Sequence, residues 1–335
     1  MIGFELGKKY HIIPVGRVAI DFNPTDYNRP LSESSNFNKY LGGSPANIAV
    51  GMARLGSRVG FLARVSDDQF GTFVTDFFQN EGIDTSHIRR CEHGEKLGLT
   101  FTEILSPTES SILMYREGVA DLQLSTEDVD EAYIADTACL LISGTALCTS
   151  PTREASLKAL SIAGRLGIPV VFDADYRAYT WKNKDEIALY CSLVAEKADI
   201  ILGSREEFDL MERLTGLPGT DEASAAFWLA GKPKLLVIKH GKEGSRAYTG
   251  DESWLIKPFP VAALKGFGGG DGYASALLNG LMTGHSLEES LEMGSASAAM
   301  LVASHACSRD MPGMDPLMEF IRREKAQYGT MVTRL

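Results

Sequence analysis

Cysteine is scarce and carries no pairing pattern. The five residues Cys91, Cys139, Cys148, Cys191 and Cys307 include no Cys-x-x-Cys, and an odd, irregular set is a poor disulfide framework. Buried free thiols in a reducing cytosol are the expectation. No apolar run approaches the roughly 20 residues needed to cross a bilayer. The charged stretch Met1 to Tyr10 lacks the apolar centre of a secretory leader. A cytoplasmic chain without a membrane partner is expected. Positive charge is also in deficit. A net charge of −11 over 335 residues argues against nucleic acid as a partner, because that binding rests on phosphate neutralisation by Lys and Arg. It leaves room for a small anion held by a few local cations. The six histidines show neither HxxxH nor Cys-paired spacing, so no metal cage is visible. No GxxxxGK[ST] occurs. Val15-Gly16-Arg17-Val18 has one glycine where a dinucleotide fold carries GxGxxG, which disfavours a nicotinamide-dependent dehydrogenase.

What is present is alternation. Short β-branched runs at His11 to Val18, Val59 to Val65, Ala138 to Ile142, Val170 to Asp173, Ile200 to Leu202 and Leu235 to Lys239 read as strands. Helical patterns lie between them at Pro45 to Leu55, Asp68 to Asn80, Thr152 to Leu166 and Asp185 to Glu196. This order predicts a parallel sheet with helices on both faces. Continuously apolar strands such as Leu140 to Ile142 fit a sheet covered on both sides. Two stretches break the scheme, Ala19 to Leu41 and Leu97 to Tyr115. The second holds two β-like runs, Leu99 to Ile104 and Ser111 to Tyr115, joined by Ser106, Pro107 and Thr108, and together the stretches predict a small separate sheet. The residues from about Gln327 onward are expected to fray.

Two glycine clusters carry the chemistry. Lys265-Gly266-Phe267-Gly268-Gly269-Gly270-Asp271-Gly272 enters a helical pattern. Such a run leaves free backbone N–H groups that, with the helix dipole, attract an anion. Asp271 in the first turn can orient or deprotonate an attacking hydroxyl beside a transferred phosphoryl group; taken alone, the same residues also fit a capped helix and a turn. Gly42-Gly43-Ser44-Pro45-Ala46-Asn47 precedes a second helix, with Ser44 suited to the N-cap and Pro45 to the first helical position. Its glycines let a ligand approach the backbone, and Asn47 offers a donor and an acceptor to a polyol. It fits an unliganded helix start equally well. Asp21, after the first strand, is expected near the sheet edge where open α/β folds bind ligands.

Taken in this order and at this separation, and with Ala53-Arg54-Leu55-Gly56 after the first cluster, the two motifs resemble the ribokinase (PfkB) family of carbohydrate kinases. The resemblance covers almost the whole chain. It implies an α/β, ribokinase-like fold: one domain over residues 1–335 with a three-layer α/β/α Rossmann-like core. It also implies a small β-sheet lid from segments 19–41 and 97–116. Asp271 would be the general base, with Gly268, Gly269 and Gly270 as the anion hole for the phosphoryl group. Asp21, Gly42, Gly43 and Asn47 would contact the sugar. Lys239-His240-Gly241-Lys242-Glu243-Gly244 resembles the family's turn near the nucleotide, which assigns Lys239, Gly241 and Gly244 to the nucleotide. Gly203-Ser204-Arg205-Glu206 resembles an Asn-x-x-Glu element, leaving Glu206 as a water-mediated Mg²⁺ contact. ATP and Mg²⁺ are the implied cofactors, with a monovalent cation as a further family property and a lid-mediated homodimer as the implied assembly.

The cradle departs from the family's commoner Thr-x-Gly-Ala-Gly-Asp: Gly266 takes the Thr place, Gly269 the Ala place, and Gly272 costs up to about 1 kcal/mol in a helix. Arg116 and Arg177 present planar forks suited to a carboxylate, though each also fits a surface ion pair. Similar positions in the family's 2-keto-3-deoxygluconate kinases bind the substrate carboxylate, so a sugar acid is expected in preference to a neutral sugar. Asp26 to Pro30, Phe101 to Pro107, Ile112 to Arg116, Tyr176-Arg177 with Tyr179-Thr180-Trp181, and Ser192 to Glu196 resemble the branch of the family that serves myo-inositol catabolism. Rival readings are a kinase for 2-keto-3-deoxygluconate or fructose, and a non-catalytic sugar- or nucleotide-binding protein on the same fold.

Overall fold

The computed structural model describes residues 2–106 and 109–335. Its centre is an eight-stranded sheet in the order Ile13–Val15, Leu140–Ser143, Val170–Asp173, Ile200–Ser204, Leu235–Lys239, Ser245–Tyr248, Ser253–Ile256, Val332–Arg334. The first five strands are parallel and the last three antiparallel. Strand residues alternate between two apolar layers. Leu141, Val171, Leu202 and Val237 pack with the helices Ser44–Arg54, Gln69–Asn80, Gly269–Met282 and Leu287–Val302 on one face. Leu140, Ile142, Phe172, Ile201 and Ile238 pack with Thr152–Arg165, Lys184–Ala195 and Asp221–Leu229 on the other. Both faces are therefore covered, which is why these strands read as unbroken apolar runs. The result is the expected three-layer α/β/α core.

The two non-alternating stretches build a four-stranded sheet ordered Phe37–Gly42, Ala19–Pro24, Gly98–Ser106, Glu109–Tyr115. Of the expected connection between its last two strands, Pro107 and Thr108 lie outside the described residues. This sheet leans on the segment around His305. Tyr40 Oη lies 2.8 Å from His305 Nδ1, Asn23 Nδ2 donates to the His305 carbonyl, and Ser308 Oγ donates to the Leu41 carbonyl.

Two local expectations are corrected. The C-terminal segment does not fray: Val332–Arg334 pairs with Ser253–Ile256 at the sheet edge, and Met331 is only 4% exposed. Backbone pairing and one buried apolar side chain hold it down. Ser44 is not the N-cap of its helix; Gly43 is, at φ 102°. The glycine conformation frees Ser44 to become the first helical residue and to send its hydroxyl sideways. All five cysteines are buried and unpaired, as expected. Among the described residues no helix is long and apolar enough to cross a membrane.

Candidate active site

The carboxyl ends of the five parallel strands converge on one place. Arg17 follows the first, Ser143 and Thr145 the second, Asp173 and Asp175 the third, Ser204 and Glu207 the fourth, and Lys239 ends the fifth. This is the edge where open α/β sheets hold ligands.

The glycine run closes the edge from above. Gly268, at φ 85°, caps the helix Gly269–Met282, and a left-handed cap of this kind is where glycine is needed. Asp271 in the first turn does not point back to cap the helix. Its Oδ1 accepts from Ser44 Oγ at 2.8 Å and its Oδ2 from Asn47 Nδ2 at 2.7 Å. The two glycine motifs, more than 200 residues apart in sequence, thus meet at one carboxylate. Burial and the nearby Asp175 push the Asp271 carboxyl up to about 6, with Asn47, Ser44 and Arg177 opposing. A carboxylate poised just below neutral pH is ionised at working pH and still basic enough to take a proton. Gly272, counted as a helix cost from the sequence, has a packing reason: a Cβ there would lie 2.6 Å from Leu301 Cδ1, so only glycine lets the neighbouring helix approach.

Asp173 lies on the other side of Ser44, whose Oγ is 3.1 Å from Asp173 Oδ2. A hydroxyl has one proton to give, so two carboxyl contacts on it are both satisfied only if one acid carries a proton. Asp173 is the more readily protonated of the two. Burial raises its carboxyl to about 7; Lys239 opposes this, and Asp175, Glu207 and Asp271 add to it. Lys239 Nζ sits 3.6 Å from Asp173 Oδ1 and 3.4 Å from where a Cβ on Gly270 would be. Its ammonium therefore faces the helix N-terminus, and surrounding carboxylates hold it charged against its burial. Gly241 and Gly244, both at positive φ, shape the turn after Lys239. Gly244 leaves no room for a side chain, a Cβ there falling 2.1 Å from the Ile256 carbonyl. His240, in the same turn, lies 2.7 Å from Asp221, which is a structural contact.

Glu206 is exposed in the first turn of Arg205–Met211. Its neighbour Glu207 is the residue turned inward. Glu207 accepts from the Ser204 and Tyr176 backbone N–H groups and acts electrostatically on Asp173, Lys239 and Arg177. The capping box starts at Ser204, which turns Glu207 rather than Glu206 towards the strand ends.

At the other end stand Asp21 and three arginines. Asp21 lies on the strand Ala19–Pro24, opposite Tyr40, and its Oδ1 is buried with no hydrogen-bond partner. Burial raises its carboxyl, with Arg17 the main opposing charge. A side chain at Gly42 would collide with this carboxylate, and one at Gly43 with the Arg17 carbonyl, so the glycine pair makes space for both. Arg177 is tied to Asp175 at 2.8 Å, yet its Nε is buried and unpartnered. Arg116 has no donor to spare in the same way. Its fork meets Asp121 at 2.6 Å, the Thr145 carbonyl at 3.1 Å and Cys148 Sγ at 3.6 Å. That places Arg116 in a buried framework ion pair. Arg17 was not legible as a ligand-facing residue. It is 4% exposed, donates from Nη2 to Thr100 Oγ1 at 2.7 Å, and leaves Nε without a partner. Burial and the Arg116 charge hold its guanidinium below its usual value, so an incoming anion would stabilise it.

Residues 10–314 match the pattern of the pfkB family carbohydrate kinases. The chain belongs to this family. Among curated relatives it is 63% identical to the 5-dehydro-2-deoxygluconokinase of Clostridium perfringens over 99% of both chains. It is 49% identical to the enzyme of that name from Geobacillus thermodenitrificans over 97% of both. Among solved structures it resembles the putative ribokinase II of E. coli in complex with ATP and Mg²⁺. That match has a TM-score of 0.84 at 23% identity and covers 94% of this chain and 99% of that one. As a pfkB kinase the chain is an ATP-dependent carbohydrate kinase. Arg17, Asp173 and Glu207, which the fold brings to this edge, were not marked by the sequence. The signal for each was a polar residue just past an apolar strand, one of the commonest patterns in any α/β chain.

Proposed function

We propose that the chain transfers the γ-phosphoryl group of ATP to the terminal hydroxyl of 5-dehydro-2-deoxy-D-gluconate. The product is the 6-phosphate, the step expected of it in myo-inositol catabolism. The observation that carries this reading is the meeting of Ser44, Asn47 and Asp271 at the amide-lined helix start, opposite two arginines with unspent Nε–H groups. The 49–63% identity to enzymes of that name over nearly the whole chain supports the choice of acid.

In this reading Arg17 and Arg177 hold the sugar-acid carboxylate, and Arg116 supports them from behind through Asp121. Asp21, with its free oxygen, accepts from a sugar hydroxyl, as does the Asn47 Oδ1, which is also buried without a partner. The acceptor hydroxyl lies against Asp271. Asp271 takes its proton as the oxygen attacks the phosphoryl group in line, and Gly268 to Gly270 donate backbone N–H groups to the oxygens that gain charge. The Lys239 ammonium completes that end. The residues also fit a magnesium–nucleotide complex: Asp173 Oδ1 is buried without a hydrogen-bond partner, next to Asp175 and Glu207. The metal, when bound with ATP, neutralises the phosphates. Gly241 and Gly244 shape the nucleotide-side turn. The four-stranded sheet acts as a lid that excludes water; a Cβ on Gly266 would come within 3.3 Å of Ser110 Oγ, so the lid hairpin reaches the cradle loop. A homodimer through the lid belongs to the same reading and is supported by the large apolar side chains Leu113 and Tyr115 left exposed on it.

A neutral ketose such as fructose would leave both Nε–H groups without a charged partner, and a non-catalytic role would leave Asp271 without purpose. The test is ADP release by purified protein over sugar acids, ketoses and nucleosides, with and without potassium. Turnover of 5-dehydro-2-deoxygluconate well above 2-keto-3-deoxygluconate and fructose is expected. A strong preference for a neutral hexose would sink the carboxylate argument.

A further inference from the structure

Lys265 is the one charged residue in the cradle loop that the reading above does not use. Its side chain is among the largest fully buried ones, at 1% exposure. The ammonium donates to the Ala306 carbonyl at 2.6 Å, touches Cys307 Sγ at 3.6 Å and lies 5.1 Å from the Phe267 ring centre. Among the described residues no carboxylate comes within ion-pair distance of it. Nζ is also 3.9 Å from where a Cβ on Gly268 would sit, directly behind the residue that caps the cradle helix. With a carbonyl, a thiol and a ring in contact and only the more distant charge of Asp21 acting on it, this buried cation is weakly compensated. The compensation it lacks is negative charge, and the cradle beside it is where a phosphoryl group carries most of that charge. Ala306 belongs to the same segment that anchors the lid through His305 and Ser308.

We propose that Lys265 is a built-in monovalent cation for the cradle. Its ammonium fixes the Gly268 turn against the Ala306 segment and supplies a positive charge behind the phosphoryl site, so turnover needs no dissociable potassium or ammonium ion. Lys265 is a positioning residue, acting through Gly268 and through the field it adds at the helix start. The inference rests on phosphoryl transfer at this cradle and not on which sugar is the acceptor.

The experiment has two arms, run with whichever acceptor the protein turns over. In the first, the unmodified enzyme is assayed in about 0.1 M tetramethylammonium chloride and again in potassium chloride at equal ionic strength. Rates within about twofold are expected, and a larger activation by potassium overturns the proposal. In the second, Lys265→Met and Lys265→Ala are compared, with melting temperature and affinity for a non-hydrolysable ATP analogue measured alongside. Both variants should lose about tenfold or more in kcat, the order seen when one preorganised electrostatic group is removed. The alanine variant, which leaves a hole the size of the lost alkylammonium arm, should regain several-fold in kcat with ammonium or short alkylammonium ions. The methionine variant, which fills the hole, should not. A methionine variant with near-normal kcat overturns the idea, and so does a folded alanine variant that no small cation restores. A merely structural tie would lower melting temperature without selective rescue. Should both variants fail to fold, the first arm still decides.

Discussion

In the proposed reading, the two ends of this site are built differently. The phosphoryl end is made of backbone: glycine amides at a helix start, one lysine beside them and one carboxylate held by two partners. The acceptor end is made of side chains drawn from separate segments. Arg17 comes from the hinge between core and second sheet, Asp21 from that sheet, Arg177 from beyond the third parallel strand. A phosphate cradle needs close approach and aligned dipoles, which contiguous glycines supply. Recognition of one sugar acid needs charges at fixed separations, which only the fold can assemble. The difference teaches where mutation should affect chemistry and where it should affect choice of acceptor.

The largest expected effect sharpens that division. Asp271→Asn keeps the shape and the Ser44 and Asn47 neighbours but removes the basic oxygen. Loss of kcat by about 10²–10⁴-fold is expected, the range for a positioned general base, with ATP affinity changed by no more than a few fold. Steady-state kinetics beside ATP-analogue calorimetry checks it; a variant with ordinary kcat would remove Asp271 from the chemistry.

At the other end the effect should be smaller and should fall on KM. Arg17→Met removes a buried guanidinium with an unspent Nε–H. It should raise KM for the sugar acid by about tenfold or more, one lost charge-assisted hydrogen bond being worth roughly 1.5–3 kcal/mol, while KM for ATP stays near its original value. Arg116→Met breaks a buried ion pair with Asp121 and should cost about 3–5 kcal/mol of stability. Denaturant melts and acceptor KM values, measured on both variants, separate the two roles. If Arg116→Met raised KM as much as Arg17→Met without loss of stability, the assignment of framework and ligand arginine would be reversed.

The same division explains what could be read in the sequence. The alternating core was legible because apolar period and turn residues are local signals. Val170–Asp173 and Leu235–Lys239 fall where the pattern puts them. The cradle was legible because glycines and aspartate are contiguous. Arg17 was not, since its environment is made by Thr100 on a distant strand. Motif spacing counted from Gly203 points to Glu206. Only the backbone shows that the helix starts after Ser204, which makes Glu207 the third residue and turns it inward. The fork of Arg116 is filled by Asp121, a carboxylate five residues ahead that a sequence reading has no cause to pair with it.

The finest test concerns the charge on Asp271. Its carboxyl is raised to about 6 by burial and by Asp175, so below that pH the base is protonated and cannot accept the hydroxyl proton. The acid limb of kcat/KM, which reports the free enzyme, should therefore rise with pH through about 6 and level off above it. Asp175→Asn should move this limb to lower pH. The substitution removes a negative neighbour and frees the Arg177 charge that Asp175 now holds, and both changes favour the ionised base. Asn tolerates the left-handed backbone that Asp175 adopts at φ 34°, so the exchange leaves the turn intact. A limb that stayed in place or moved upward would mean that another group titrates. A downward move does not by itself separate Asp271 from Asp173, since Asp175 raises both. In Asp173→Asn a limb that belongs to Asp271 must persist, because the base is still present, whereas a limb that vanished would transfer the titration to Asp173 and make the shared proton on Ser44, rather than the base itself, the event that acid blocks.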